Sequence, residues 1–202
     1  MTDPVASIII PTHNRDVDLS RAVNSALGQS IPEIEVIVIN DASTDQTKEV
    51  LQVLQDMDSR LKVLHLPIAL GLSGGLQRNE GLKIARGKYI CYVDDLSVML
   101  PGWLAEVRNA ITNNWIALGA YSKVLNLEIR DGAVVNYVYH HHGRDSRLDQ
   151  VQNDNPHIAG GTWCYGCSLA IPVEALLKVN GFDEDCDSMG FEDVICGFML
   201  QR

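Results

Sequence analysis

A repeated strand-then-helix pattern constrains the fold of this chain more than any other feature. Four times before residue 113, an apolar or β-branched run is followed by an amphipathic stretch. Val5 to Ile10 is the first run, stopped by Pro11, and its lack of alternation predicts a strand buried on both faces. Asp16 or Asp18 is placed to cap the next helix, with Leu19, Val23, Ala26 and Leu27 on one face and an end near Gly28. Ile34 to Ile39 predicts a second strand. It leaves through Asn40-Asp41-Ala42-Ser43-Thr44-Asp45, whose last residues cap a helix with Val50, Leu51, Leu54 and Met57 inward. Leu61 to Leu66 predicts a third strand, and residues 71–86 a loop and helix with Leu76, Leu82 and Ala85 inward. Lys88 to Asp95 reads as the fourth strand, followed after Pro101 by a helix to about Asn113. Such alternation implies a parallel, doubly wound sheet.

Open sheets of this kind bind ligands outside the carboxyl ends of their strands. The fourth run ends there on two adjacent acids, Asp94 and Asp95. Two carboxylates in a concave, partly desolvated mouth repel and raise each other's pKa. A divalent cation shared with phosphate oxygens removes that cost, because hard cations take both kinds of oxygen. A solvated Asp-Asp turn is the plainer reading of the pair taken alone.

From Trp115 onward the pattern changes. Residues 116–129 and 133–139, separated by Arg130-Asp131-Gly132, predict a β-hairpin. His140-His141-His142 follows at the strand exit and reads as a solvated loop, with residues 143–156 as a long polar loop. Thr162 to Ile171 is a further strand, Pro172 opens a short helix ending at Asn180-Gly181, and a last helix begins near Phe191, with Ser188 or Gly190 near its start. The expected division is one domain of two halves, about 1–99 for a nucleotide and about 100–202 for an acceptor.

Composition narrows the function. A formal net charge of −10 excludes a phosphate-backbone partner, which demands clustered Lys and Arg. No apolar run reaches the roughly 20 residues of a membrane span, and Met1-Thr2-Asp3-Pro4 lacks a signal-peptide layout. A cytoplasmic protein is expected, with its five cysteines reduced. Cys164-Tyr165-Gly166-Cys167 has redox or zinc spacing but no second close pair, so structural thiols are the expectation. Gly71-Leu72-Ser73-Gly74-Gly75 follows the third strand rather than the first and lacks dinucleotide spacing, and Gly81 to Lys88 departs from a P-loop.

Four blocks fit together. They are Ser7-Ile8-Ile9-Ile10-Pro11-Thr12-His13-Asn14-Arg15, Val38 to Asp45, Arg78-Asn79-x-Gly81 continuing through Ala85-Arg86-Gly87-Lys88 to Asp94-Asp95, and Asn180-Gly181-Phe182-Asp183-Glu184 with Gly190-Phe191-Glu192-Asp193. In this order they resemble glycosyltransferase family 2 of the GT-A fold. The resemblance implies an α/β fold: a doubly wound, mostly parallel sheet with a smaller mixed or antiparallel acceptor half. It implies an inverting transfer of sugar from a nucleotide-diphosphate sugar, a UDP-sugar above all, to a hydroxyl of a glycan or lipid-linked glycan. Cell-surface polysaccharide synthesis is the implied setting.

By the same resemblance, Pro11, Thr12, His13, Arg15, Asp41, Arg78 and Asp94 contact the nucleotide. His13 stands where the family usually has another aromatic residue, and its ring could stack on the base. Asp94 and Asp95 hold Mg2+ or Mn2+ on the diphosphate, and Gly161 and Trp163 face the sugar or acceptor. Asp193 is the implied catalytic base, with Glu192 the second choice; on the acids alone, a helix-start pair complementing the dipole competes. One departure stands out: the family's Asp-x-Asp reads Asp94-Asp95-Leu96, with Leu96 at the principal metal carboxylate. Leu96 motivates the alternative of a non-catalytic nucleotide-sugar-binding relative. A sugar-phosphate nucleotidyltransferase is disfavoured because Pro11-Thr12-His13-Asn14 replaces its Gly-rich basic loop.

Overall fold

The computed structural model describes residues 3–71, 74–113, 116–119, 121–130, 133–144, 164–186 and 191–201. Its strands are β1 (Ala6–Thr12), β2 (Ile34–Asn40), β3 (Leu61–His65), β4 (Tyr89–Tyr92), β5 (Ala117–Leu118), β6 (Ser122–Arg130), β7 (Ala133–Arg144) and β8 (Leu169–Pro172). Six of them form the main sheet, in the order β3-β2-β1-β4-β8-β5. The pairs β1–β2, β2–β3 and β1–β4 are parallel, while β8 runs antiparallel to both β4 and β5. A two-stranded antiparallel sheet pairs β6 with β7. Helices α1 (Leu19–Leu27), α2 (Thr47–Met57), α3 (Gly75–Ile84), α4 (Trp103–Thr112), α5 (Val173–Lys178) and α6 (Glu192–Leu200) complete the elements, with a 3-10 turn at Glu184–Cys186.

The unbroken apolar runs do what two-sided burial requires. Ile8, Ile9 and Ile10 in β1 and Val36, Ile37, Val38 and Ile39 in β2 are fully buried. Successive side chains alternate between faces, so Ile8 and Ile10 enter one core cluster with Leu19, Val23 and Leu51. Ile9, Ile37 and Ile39 enter the other with Tyr92, Leu169 and Phe182. Trp103 packs against the first cluster.

Several local expectations are corrected. Asp18 makes no side-chain cap and instead faces Arg21 at 3.6 Å. Met57 is 77% exposed: the buried positions of α2 are Thr47, Leu51 and Leu54, and Val50 packs half-buried against the core. The expected strand 116–129 divides: β5 joins the main sheet and β6 the hairpin. His140, His141 and His142 lie within β7 rather than in a loop. The eighth strand is four residues long, and residues 145–163, with Ser188 and Gly190, lie outside the described residues. In α3 Leu82 and Ala85 pack half-buried against the second core cluster, as expected, but the most deeply buried positions are Gly75, Gln77, Arg78, Asn79 and Gly81. A helix that buries its polar face more deeply than its leucines is serving something other than the core.

Candidate active site at the carboxyl ends of β1 and β4

The chain winds from β1 to β2 and β3 on one side, then crosses to β4 on the other. The order therefore reverses between β1 and β4, where such sheets open a crevice. Thr12 closes β1 and Asp94-Asp95 follow β4. The Thr12 hydroxyl donates to Asp95 Oδ2 at 2.9 Å, and Arg15 Nε stands 3.6 Å from the same oxygen. Burial pushes the Asp95 carboxyl up, and Asp94 adds to this, while Thr12, Arg15 and the His13 backbone N–H oppose it. Asp95 is thus turned under the β1 loop with its side chain 15% exposed, whereas that of Asp94 is 42% exposed.

Behind the acids lies Arg78. Its Nη2 donates to Asp94 Oδ1 at 2.8 Å and its Nη1 to Glu192 Oε1 at 3.1 Å. The guanidinium lies 5.6 Å from the centroid of the Phe182 ring. Glycines wall it in: a Cβ on Gly166 would sit 2.7 Å from Arg78 Cζ, and one on Gly74 3.0 Å from Nη1. The sequence places Arg78 at the nucleotide; here its fork is spent on two carboxylates, one from the β4 turn and one from α6.

The neighbouring motif residues lock the same frame. Asn79 Nδ2 donates to the Phe182 carbonyl and the Phe182 N–H donates to Asn79 Oδ1, both at 2.9 Å. This clasp fixes the turn at Gly181, whose φ is +77°. A Cβ on Gly81 would lie 2.6 Å from Ile9 Cγ2, so α3 sits on β1 only with glycine there.

Helix α6 starts on Phe191 in the left-handed region, φ 73°, and brings Glu192 and Asp193 to this frame. Asp193 is half-buried and accepts the Gly166 N–H on Oδ2 at 3.2 Å and the Val194 N–H on Oδ1 at 2.7 Å. Burial pushes the Glu192 carboxyl up, with Asp193 adding to this and Arg78 opposing it. One guanidinium therefore holds Asp94 and the residue beside Asp193 at once.

Asp41 follows β2 on the other flank. It is buried, its Oδ1 accepting the Leu70 N–H at 2.8 Å and its Oδ2 a Gln77 Nε2 hydrogen at 2.7 Å. His13 is exposed beside the half-buried Pro11. The loops after β1 and β2 are joined: the Asn14 N–H donates to Ser43 Oγ, the Arg15 N–H to Thr47 Oγ1 and the Asp16 N–H to Asp45 Oδ2. Asp45 Oδ1 also accepts the Thr47 N–H at 3.0 Å, opening α2 as the sequence predicts.

The structure thus brings Thr12, His13, Arg15, Asp41, Arg78, Asp94, Asp95, Glu192 and Asp193 to one end of the sheet. Gly161 and Trp163 lie outside the described residues. Sequence reasoning missed Asn14, Gln77 and Asn79 as site-builders. The available signal was a helix with Gln77-Arg78-Asn79 where an apolar stripe belongs. Leu96 is 58% exposed beside the acids. Among the described residues, no group of three or more His, Cys, Asp or Glu side chains is placed to hold a metal. Two adjacent hard carboxylates fit a divalent cation that takes its other ligands from phosphate and water, and do not fit a protein-only site. None of the five cysteines is joined in a disulfide.

Known proteins share this fold and parts of this sequence. Over 105 residues the chain is 39% identical to a GalNAc(5)-diNAcBac-PP-undecaprenol β-1,3-glucosyltransferase of Campylobacter jejuni, covering 52% of this chain and 33% of that protein. The fold superposes on Staphylococcus aureus TarS 1-349 in complex with UDP with a TM-score of 0.71 and 23% identity, covering 95% of this chain and 53% of that one. It superposes on the mannosyltransferase PcManGT from Pyrobaculum calidifontis, in complex with GDP-Man and Mn2+, with a TM-score of 0.68 and 21% identity, covering 96% of this chain and 51% of that one. These likenesses establish the GT-A fold. The chain spans a third to about half the length of these proteins. With the sequence model of glycosyl transferase family 2 matching residues 7–170, the chain belongs to that family.

Proposed function

We propose that this end of the sheet transfers a sugar, with inversion, from a nucleotide-diphosphate sugar to a hydroxyl of a glycan or lipid-linked glycan. One observation carries the reading: Arg78 holds Asp94 and Glu192 together, so the acid turn and the start of α6 face one mouth. Residues up to about 99 serve the nucleotide and the rest serve the acceptor. The base lies against Pro11, Thr12 and His13, with Asp41 behind them and Arg15 toward the diphosphate. UDP is the favoured nucleotide because the TarS structure of the same fold carries it.

Asp193 accepts the proton of the attacking hydroxyl. The acceptor oxygen bonds to the anomeric carbon while the bond to the diphosphate breaks, its electron pair leaving with the nucleoside diphosphate. The Gly166 N–H fixes the carboxylate in place, and Glu192, turned to Arg78, is left as the supporting acid. Asp94, the more exposed acid, and Asp95 behind it would hold a Mg2+ or Mn2+ ion, which supplies charge neutralisation for the departing diphosphate. Arg78 acts from behind Asp94 rather than on the nucleotide. A non-catalytic sugar-nucleotide-binding relative is the second reading, favoured by exposed Leu96 beside an acid already tied to Thr12.

Calorimetry with UDP, with and without Mn2+, tests the nucleotide and metal parts. Binding that strengthens with the ion, and loses that gain in Asp94→Asn, is expected. Affinity for UDP that the ion leaves unchanged would remove Asp94 and Asp95 as ligands.

A further inference from the structure

The ring of His13 is held at both edges by groups whose polarity can be deduced. His13 Nδ1 lies 2.6 Å from the Asp41 carbonyl oxygen. A carbonyl only accepts, so Nδ1 carries the hydrogen. His13 Nε2 lies 3.0 Å from Asn14 Nδ2, and Asn14 Oδ1 accepts the Thr44 N–H at 2.8 Å. A backbone N–H only donates, which fixes which end of the Asn14 amide faces Thr44. The NH2 end therefore faces Nε2, which must be a bare acceptor.

The relay runs from the Thr44 N–H through Asn14 and His13 to the Asp41 carbonyl, beginning and ending on the backbone of the β2 loop. Asn14 also takes the left-handed conformation, φ 54°, and its own N–H donates to Ser43 Oγ at 2.9 Å. Both polar edges of the imidazole are consumed while His13 stays exposed. What such a ring has left to offer is a flat, uncharged face.

We propose that Asn14 is a positioning residue: it holds Nε2 of His13 as a bare acceptor, opposite the Nδ1–H that the Asp41 carbonyl fixes, and so keeps the face of the ring ready for the base of a nucleoside diphosphate. This rests on the nucleotide reading above. An aromatic face of fixed plane binds a base by stacking without ordering the ring at the moment of binding.

Long-range 1H–15N spectra of the histidine rings, assigned with His13→Phe, test the tautomer directly. The His13 signals of the wild type should show the Nδ1–H pattern; in Asn14→Ala the Asp41 carbonyl retains that pattern, and loss of the Asn14 donor shifts the Nε2 signal instead. An Nε2–H wild-type ring overturns the proposal. UDP affinity is then measured in wild type, Asn14→Ala, His13→Phe and the double variant, with melting temperatures recorded for each. Asn14→Ala should weaken UDP about threefold to tenfold in the wild-type background. In the His13→Phe background it should hardly matter, because a phenyl ring has no Nε2 for Asn14 to hold. An equal loss in both backgrounds would make Asn14 a loop staple only and overturn the inference. Failure of the wild type to bind UDP or GDP would overturn the nucleotide reading and this platform with it; binding unaffected by any variant would overturn the platform alone.

Discussion

Arg78→Met separates the electrostatic role of this arginine from its volume. Methionine fills most of the space of the arginine stem, so the change mainly removes a charge and its donors. The two arms are unequal. The Asp94 side chain is 42% exposed, and water and salt replace much of what Arg78 gives it. Glu192 is 7% exposed at its side chain and has little access to water. Removing one partner of a buried pair costs about 3–5 kcal/mol, and the exposed arm argues for the low end, about 3 kcal/mol. For a chain of this size that lowers the melting temperature by about 6–12 °C.

The pH dependence discriminates further. Burial already raises the Glu192 carboxyl above its unfolded value, so the folded state holds that proton more tightly than the unfolded chain. Stability from this group is present below the unfolded pKa and is lost as pH rises through the folded one. Without Arg78 the folded pKa rises again and the loss extends to higher pH. The gap between variant and wild type should therefore be widest near neutral pH and narrow in acid, as Glu192 takes up a proton. Urea denaturation at neutral and at acid pH measures it. A gap of equal size at both would refute the claim that Arg78 compensates a buried Glu192 charge.

Gly87→Ala should destabilise the fold by about 3 kcal/mol or more, since its Cβ would stand 2.4 Å from the Ser7 backbone nitrogen; a wild-type melting temperature would count against the β1–β4 approach. Glu35 is buried, which alone would raise its carboxyl, but Lys62, Ser7 and the Arg86 N–H hold it below the usual range. Its contribution is present above the unfolded pKa and lost as pH falls through the folded one. Glu35→Gln should cost about 2 kcal/mol at neutral pH and less in acid, again by urea denaturation. Burial pushes the Cys91 and Cys196 thiols up to about 12, while Cys167 is the half-buried member of the five. Iodoacetamide should label Cys167 first in native protein, read by mass spectrometry.

The parallel core was legible because uninterrupted β-branched runs have few other ways to be buried. Ile8-Ile9-Ile10 and Val36 to Ile39 marked both strands to within a residue or two. The reversal beyond β4 was not legible, because β8 is four residues long and its place depends on pairing with Tyr89 to Tyr92 rather than on its own pattern. The acid pair and the α6 acids could be read as residue types at element ends. Their relation could not, because it passes through Arg78, which looks like any exposed helical arginine in a linear pattern. Periodicity found Leu82 and Ala85, which pack against the core, but not the deeper burial of Gln77, Arg78 and Asn79. Loop zippers such as Asn14 with Ser43 and Thr44 join residues about 30 apart, and no local signal carries them.

The central claim is that a nucleotide-sugar lies between the acids after β4 and the carboxylate of Asp193. Its most direct test is turnover of UDP-sugars by Asp193→Asn, measured beside UDP affinity in the same preparation. The account predicts turnover lower by about 10²–10⁴-fold with UDP affinity unchanged, as for loss of a general base that touches only the reacting hydroxyl. Undiminished turnover in the variant would contradict it.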